Sequence, residues 1–383
     1  MNLKLALWSL LGIVVLGLAG FAGWILTLPP TPAAAAAPAI AEQEIDAALA
    51  ALKPQKRERP VIAIIAINDA TEVTDYLVPY GILRRADIAD VMTLATEPGP
   101  VTLYPVLKVE PDTTAGEFDA RYPEGADYVI VPAMSRDDDP AVMQWLKKQA
   151  DKGAMVIGVC AGAKVVAAAG LLDGRRATTH WYYLKELQEE HPGIHYVADR
   201  RLVVDERVAT TTGITASMPM MLTLIQAIAG QAKAQTVAQD LGLSQWDMRH
   251  SSDAFKFTRP FALTALGNGL AFWNRERLGI ELQPGMDEVS LALAADAWSR
   301  TYLSNTVTFA GSPEAVETRN GVRLLPDEKT KDWPEDRLLP MMENRRPAAA
   351  LDQTLRGIAE RYGAHTANLV AMQLEYPGRN WLD

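Results

Sequence analysis

Residues 154–181 read AMVIGVCAGAKVVAAAGLLDGRRATTHW. The apolar run up to Val159 predicts a strand buried on both faces, and at Cys160 it passes into an alanine-rich helix over 161–171 that stops at Asp173-Gly174. With Gly158 before it and Gly162 after it, Cys160 is expected in a tight, strained turn. Such a turn projects its side chain at the carboxyl edge of the sheet, where open α/β sheets bind ligands. Working outward, 61–67 and 128–131 are two more apolar runs of buried-strand type, and 90–95 and 102–109 read as further strands. Residues 76–86, 140–152 and 218–229 read as helices. Strands alternating with helices specify a doubly wound α/β parallel sheet of flavodoxin-like type.

A lone cysteine beside an apolar strand is more often a buried structural residue. The small-residue junction and a histidine 20 residues on, His180 in Arg176-Ala177-Thr178-Thr179-His180-Trp181, favour a nucleophile instead. One helix and a return strand can bring that imidazole back to the thiol. A helix N-terminus and a nearby imidazole lower a thiol pKa, so the expectation is an activated Cys160. Asp75, just after the first strand and on the same sheet edge, is the third candidate, as general acid or base. Its plainer role is that of an acidic residue in the first turn of a helix.

The chain has 383 residues and a net charge of −10, and no basic run long enough to neutralise phosphates, which argues against a nucleic-acid partner. One cysteine excludes an internal disulfide, and five scattered histidines show no metal-ligand spacing, so neither metal nor cofactor is expected. Residues 5–28 carry no charge. As a helix they would extend roughly 36 Å, enough to cross a bilayer core, and they exceed the ~7–15 residues of a signal-peptide apolar region. The expected organisation is a transmembrane anchor over 5–28, a tether over 29–59, a main domain over 60–255 and a further region over 256–383. Lys4 precedes the span and the next basic residue is Lys53, which puts the N-terminus in the cytoplasm and the body on the extracytoplasmic, periplasmic side.

The second half echoes the first. Residues 282–327 lie over 67–112 at an offset of about 215, with Val109-Glu110-Pro111-Asp112 over Leu324-Leu325-Pro326-Asp327, and 354–374 resemble 223–241. In this overlay Leu291 stands where Asp75 does, and nothing matches Cys160 or His180. The expectation is a degenerate half-copy that packs on the main domain and carries no second active site.

The stretch 160–181 resembles the signature of the ThiJ/PfpI family within the class I glutamine amidotransferase-like superfamily. It is most similar to isonitrile hydratases and to the N-terminal domains of AraC-type regulators. The likeness runs from Val61 to about Leu241 and includes Arg200–Thr212, RRLVVDERVATTT. It implies Cys160 as elbow nucleophile, His180 as its neighbour and Asp75 as the acid that follows the first strand. It also implies an oxyanion hole from the amides of Ala161 and Ala133. Three positions depart from the pattern: Pro132-Ala133-Met134 for the usual Pro-Gly-Gly, Ala161 for the threonine of isonitrile hydratases, and Pro219 for an aspartate of the regulators. No helix-turn-helix region is visible. Two readings follow. One is a cysteine-dependent hydrolase, hydratase or lyase on a small amide, nitrile-like or carbonyl compound. The other is a non-catalytic small-molecule or redox sensor. A homodimer is left open by the sequence.

Overall fold

The computed structural model describes residues 3–32, 36–340 and 345–376, without the side chains of 3–7 and 10. After α1 (Leu3–Thr27) and α2 (Glu42–Ala51) come β1 (Val61–Ala66), β2 (Asp69–Glu72), α3 (Val73–Ala86), β3 (Asp90–Ala95), β4 (Val101–Tyr104), β5 (Lys108–Glu110), β6 (Thr113–Thr114) and α4 (Ala115–Arg121). The chain continues with β7 (Tyr128–Val131), α5 (Pro140–Asp151), β8 (Met155–Gly158), α6 (Gly162–Ala168), β9 (Arg176–Ala177), α7 (Leu184–Glu190), β10 (His195–Tyr196), β11 (Leu202–Asp205), β12 (Val208–Thr211), α8 (Ser217–Ala229) and α9 (Gln231–Leu241). The remainder is α10 (Arg259–Leu270), β13 (Glu276–Glu281), α11 (Glu288–Ser299), β14 (Ser304–Ala310), β15 (Val316–Glu317), β16 (Arg323–Leu324), β17 (Glu328–Lys329), α12 (Pro347–Tyr362) and α13 (Ala364–Gln373).

The main sheet has the order β11-β12-β8-β7-β1-β3-β6 and is parallel except at β11–β12. β1 shows why it is buried on both sides. Ile62 and Ile64 face the layer of Tyr76, Leu83 and Leu224, while Ala63 and Ile65 face that of Phe118, Trp145 and Val165. Each fully buried Ile or Leu contributes about 1.5–3 kcal/mol, so the alternating inventory of this strand commits it to the centre.

The second half builds a smaller parallel sheet, β13-β14-β17. Its details recur at the offset of 215. Thr93 N and Oγ1 donate to Asp112 Oδ2 at 2.8 and 2.9 Å, and Asp112 N donates back to Thr93 Oγ1 at 3.0 Å. Thr308 and Asp327 form the same three bonds at 2.9, 2.8 and 3.0 Å. Helix pairs α8–α9 and α12–α13 each turn at one glycine in matching geometry, Gly230 at φ 86° and Gly363 at φ 87°. The halves meet about a local two-fold. β5 pairs antiparallel with β16, Glu110 opposite Arg323 and Val109 opposite Leu324, inside a shared sheet β15-β16-β5-β4-β2. α3 lies against α11 so closely that a Cβ on Gly81 would sit 2.6 Å from Val289 Cγ2. The salt bridges are reciprocal. Arg85 reaches Asp287 at 2.9 Å, and Arg300, 215 residues on from Arg85, reaches Glu72 at 2.8 Å. Glu72 and Asp287 are also the two helix N-caps, so the structural counterpart of Asp75 is Ser290, not Leu291.

Residues 42–59, expected within a tether, are docked. Leu52 is fully buried, its carbonyl accepts from Tyr128 Oη at 2.7 Å, and Arg57 pairs with the buried Asp127 at 2.6 Å. Residues 33–35 of the expected tether lie outside the described residues. A helix forms over most of 5–28, as α1, with residues 11–27 as its longest stretch of described side chains. Among the described residues, no helix is long and apolar enough to cross a membrane.

Candidate active site

Cys160 follows β8 and precedes α6 at φ 56°, a left-handed conformation that non-glycine residues rarely adopt. Its neighbours enforce it. A Cβ on Gly162 would stand 2.0 Å from the Val131 carbonyl oxygen, so only glycine lets the turn press onto β7. Cys160 N donates to Thr211 Oγ1 at 3.0 Å, and Thr179 Oγ1 donates to the Cys160 carbonyl at 3.1 Å. The residue is 5% exposed. Burial pushes the thiol up, the carboxylates of Asp75, Glu72 and Glu375 push it further, and the Ala161 amide alone among these favours the thiolate. The expectation of an activated, low-pKa thiol is therefore reversed: three acidic side chains outweigh one backbone amide at the end of a seven-residue helix.

Asp75 is fully buried in the first turn of α3. Its Oδ2 accepts from Ala133 N at 3.0 Å, while Oδ1 has no partner among the described residues. Burial first and Glu72 second raise its carboxyl well above the ordinary range. The Ala133 amide, expected to help form an oxyanion hole, is thus committed to Asp75. Ala161 remains the amide facing the sulfur.

His180 is also placed otherwise than expected. Its Nδ1 accepts from Tyr182 N at 3.2 Å and its Nε2 contacts the Gln373 carbonyl at 3.0 Å, so the ring is the Nε2–H tautomer. Burial lowers its pKa. With both nitrogens engaged it is not the base for Cys160, and it serves to fix the loop whose Thr179 bonds the Cys160 carbonyl.

Several residues that shape the site come from the second half. Arg300, on the connection after α11, bonds Glu72 Oε1 at 2.8 Å and Asp296 at 2.7 Å. Glu72 Oε2 in turn accepts from Asp75 N at 2.6 Å and Thr74 Oγ1 at 2.8 Å. Burial and Asp296 raise Glu72 to about 7, with Arg300 pulling it down. Beyond α13, Glu375 accepts from Trp181 N and Gly213 N, both at 2.8 Å, and Trp181 Nε1 donates to Met372 O at 2.9 Å. Glu72 carried a signal in the sequence, an acid three residues before Asp75. The offset of 215 from Arg85 could have pointed to Arg300. Nothing local pointed to Glu375. Tyr182 and Tyr183, directly after the loop, are 54% and 36% exposed, and the Tyr183 phenol is raised by burial and then by Cys160. Among the described residues the group of carboxylates close enough for a cation, Asp137, Glu186 and Glu190, has the Lys164 ammonium at 2.5 Å from Asp137 and 2.6 Å from Glu186.

Residues 61–227 match the DJ-1/PfpI family. Isonitrile hydratase of Pseudomonas putida is 35% identical over 167 residues, 43% of this chain and 70% of that protein. The HTH-type transcriptional regulator CdhR of Pseudomonas aeruginosa is 39% identical over 106 residues, 28% of this chain and 31% of the regulator, so the chain spans about a third of that relative. A solved mutant of a DJ-1 superfamily protein from Salmonella typhimurium is 25% identical with a TM-score of 0.43, covering 49% of this chain and all of the other. With its cysteine elbow on a largely parallel sheet, the match over 61–227 and the likeness to isonitrile hydratase, the chain belongs to the DJ-1/PfpI family.

Proposed function

We propose that this chain is a membrane-anchored DJ-1/PfpI-family enzyme that acts on a small amide, nitrile-like or carbonyl compound through Cys160. One observation carries the reading: the strained cysteine faces the Ala161 amide and lies near a buried Asp75 whose carboxyl is raised well above the ordinary range and whose Oδ1 has no partner among the described residues. In this scheme the substrate approaches past Tyr182 and Tyr183, the sulfur adds to the electrophilic carbon, and the Asp75 Oδ1–H donates to the developing negative atom. Glu72 accepts the thiol proton directly or through water, since its pKa near 7 allows both states at neutral pH. Region 256–383 is read as a half-copy that closes the site with Arg300 and Glu375. A homodimer would use a surface other than α3, which α11 covers.

The anchor reading rests on residues 5–28 being uncharged and on apolar side chains of α1 standing free, Leu16 at 74%, Ile13 at 67% and Leu18 at 64% exposed. The proposed topology keeps the N-terminus cytoplasmic and the folded domain periplasmic.

The test is turnover of a panel of isonitriles, amides and reactive carbonyl compounds by the purified full-length protein. Cys160→Ser and Asp75→Asn are expected to lower turnover by ~10²-fold or more, and His180→Gln, which can still bond its neighbours, by much less. Unchanged turnover in Cys160→Ser removes the nucleophile. The sensor reading is favoured by the burial of Cys160 and the similarity to CdhR. It predicts ligand binding or sulfur oxidation with no turnover at all.

A further inference from the structure

Helix α10 buries Phe261 and Ala262 and yet carries a second apolar face outward. Its Asn268 turns inward, where Nδ2 donates to Thr301 O at 2.9 Å and to Thr366 Oγ1 at 3.1 Å. Its outward face carries Leu263, Leu266 and Leu270 at helical spacing, 48%, 40% and 59% exposed, and the turn beyond adds Phe272 at 65% and Trp273 at 71%. Scattered exposed leucines need no explanation, but a contiguous aliphatic and aromatic face on one surface helix marks an interaction site.

The occupant is indicated by what α10 holds at its other end. The Arg259 side chain donates to the Ile25, Leu26 and Leu28 carbonyls at 3.2, 2.9 and 3.3 Å, and Arg259 N donates to Pro29 O at 2.8 Å. Trp24 packs on Phe257 with ring centroids 6.2 Å apart. The last turn of α1 and the first turn of α10 are thus fastened together, and the apolar face of α10 is continuous with the end of the helix proposed to leave the bilayer. Lys256, bonded to Asp253 at 2.7 Å, and Arg275 are exposed near the two ends of the patch, a placement suited to lipid headgroups.

The geometry points to α10 and Phe272-Trp273 as an in-plane element that lies in the surface of the bilayer. It rests on the anchor reading of α1. The inner face of the same helix carries Phe261, edge-on to Trp181 at 5.4 Å. The loop that holds Thr179 and His180 is therefore one layer of side chains from the lipid surface, and a substrate dissolved in the bilayer would reach the site by a short path.

The test uses the full chain in vesicles of phosphatidylcholine and phosphatidylglycerol. In a Cys160→Ala background an environment-sensitive fluorophore is attached at Leu266→Cys, at Leu16→Cys in α1 and at the exposed Lys147→Cys in α5, and each is quenched by nitroxide lipids of known depth. The expected result is deep quenching at 16, shallow quenching at 266, at ~5–10 Å into the headgroup–acyl boundary, and none at 147. Quenching at 16 with water-like emission at 266 overturns this inference and leaves the anchor intact. No quenching at either site overturns both. A blue-shifted label at 266 that nitroxide lipids do not quench assigns the face to a protein partner and also overturns the inference. Brominated-lipid quenching of tryptophan emission, expected to lose a shallow component in Trp273→Phe, checks the result in the chain that keeps Cys160.

Discussion

Replacing Arg300 with methionine isolates the electrostatic contribution of the second half to the site. The guanidinium is the cation between Glu72, 6% exposed, and Asp296, fully buried. Without it both carboxyls stay buried with no counter-charge, and breaking such a pair costs ~3–5 kcal/mol. The pH dependence follows from the shifts. In the wild-type chain, burial already raises Glu72 to about 7 and moves Asp296 up, with Arg300 acting against both. Groups with raised folded pKa values bind protons more tightly folded than unfolded, so they reduce stability as pH climbs from their unfolded values, about 4. Removing Arg300 raises both further and extends that loss to higher pH. Arg300→Met should therefore be destabilised by ~3–5 kcal/mol at pH 8 and by a fraction of that at pH 5, which lies below the raised value of Glu72. Guanidinium unfolding of full-length protein in mild detergent, followed by tryptophan fluorescence, measures it. An equal loss at both pH values would show that Arg300 acts by packing and would refute the charge argument.

Two further outcomes are expected. Iodoacetamide labelling of Cys160 should show a midpoint above the ordinary thiol value of about 8.5, since burial first and its acidic neighbours second raise it; a midpoint below that would mean that the Ala161 amide outweighs burial and would refute the reasoning. Residues 61–241 expressed alone should aggregate, because removal of α11 uncovers the face of α3 around Gly81; a monomeric fragment that melts like the longer chain would make the C-terminal region an independent domain.

The cysteine elbow was legible because everything that creates it is local: an apolar strand, two glycines and an alanine-rich helix within residues 155–168. Asp75 was legible for the same reason. The role of His180 was not, since its ring is captured by Gln373, 193 positions away. Arg300 meets Glu72 across 228 positions, and the offset of 215 from Arg85 was the one sequence signal that could have pointed to it. The internal echo was readable in outline, yet its register slipped by one residue at Leu291, because the helix caps Glu72 and Asp287 fix the count and composition alone does not display them. A short helix over 42–52 was readable within the expected tether, and α2 forms there; its docking was not readable, because it depends on Leu52 and on ion pairs such as Arg57–Asp127 that reach distant parts of the chain.

The reciprocal bridges Arg85–Asp287 and Arg300–Glu72 have a consequence for how the two sides can change. When two identical subunits meet on a symmetry axis, every substitution is made twice, and the pairing dissolves on dilution. Here both sides lie on one chain, so the contact is independent of protein concentration and each side mutates alone. The two bridges have already parted company: Arg85 also pairs with the half-exposed Asp240, while Arg300 is turned to Asp296 and Glu72 beside Cys160. One half of a matched pair has been free to become a wall of the site, at no cost to the other.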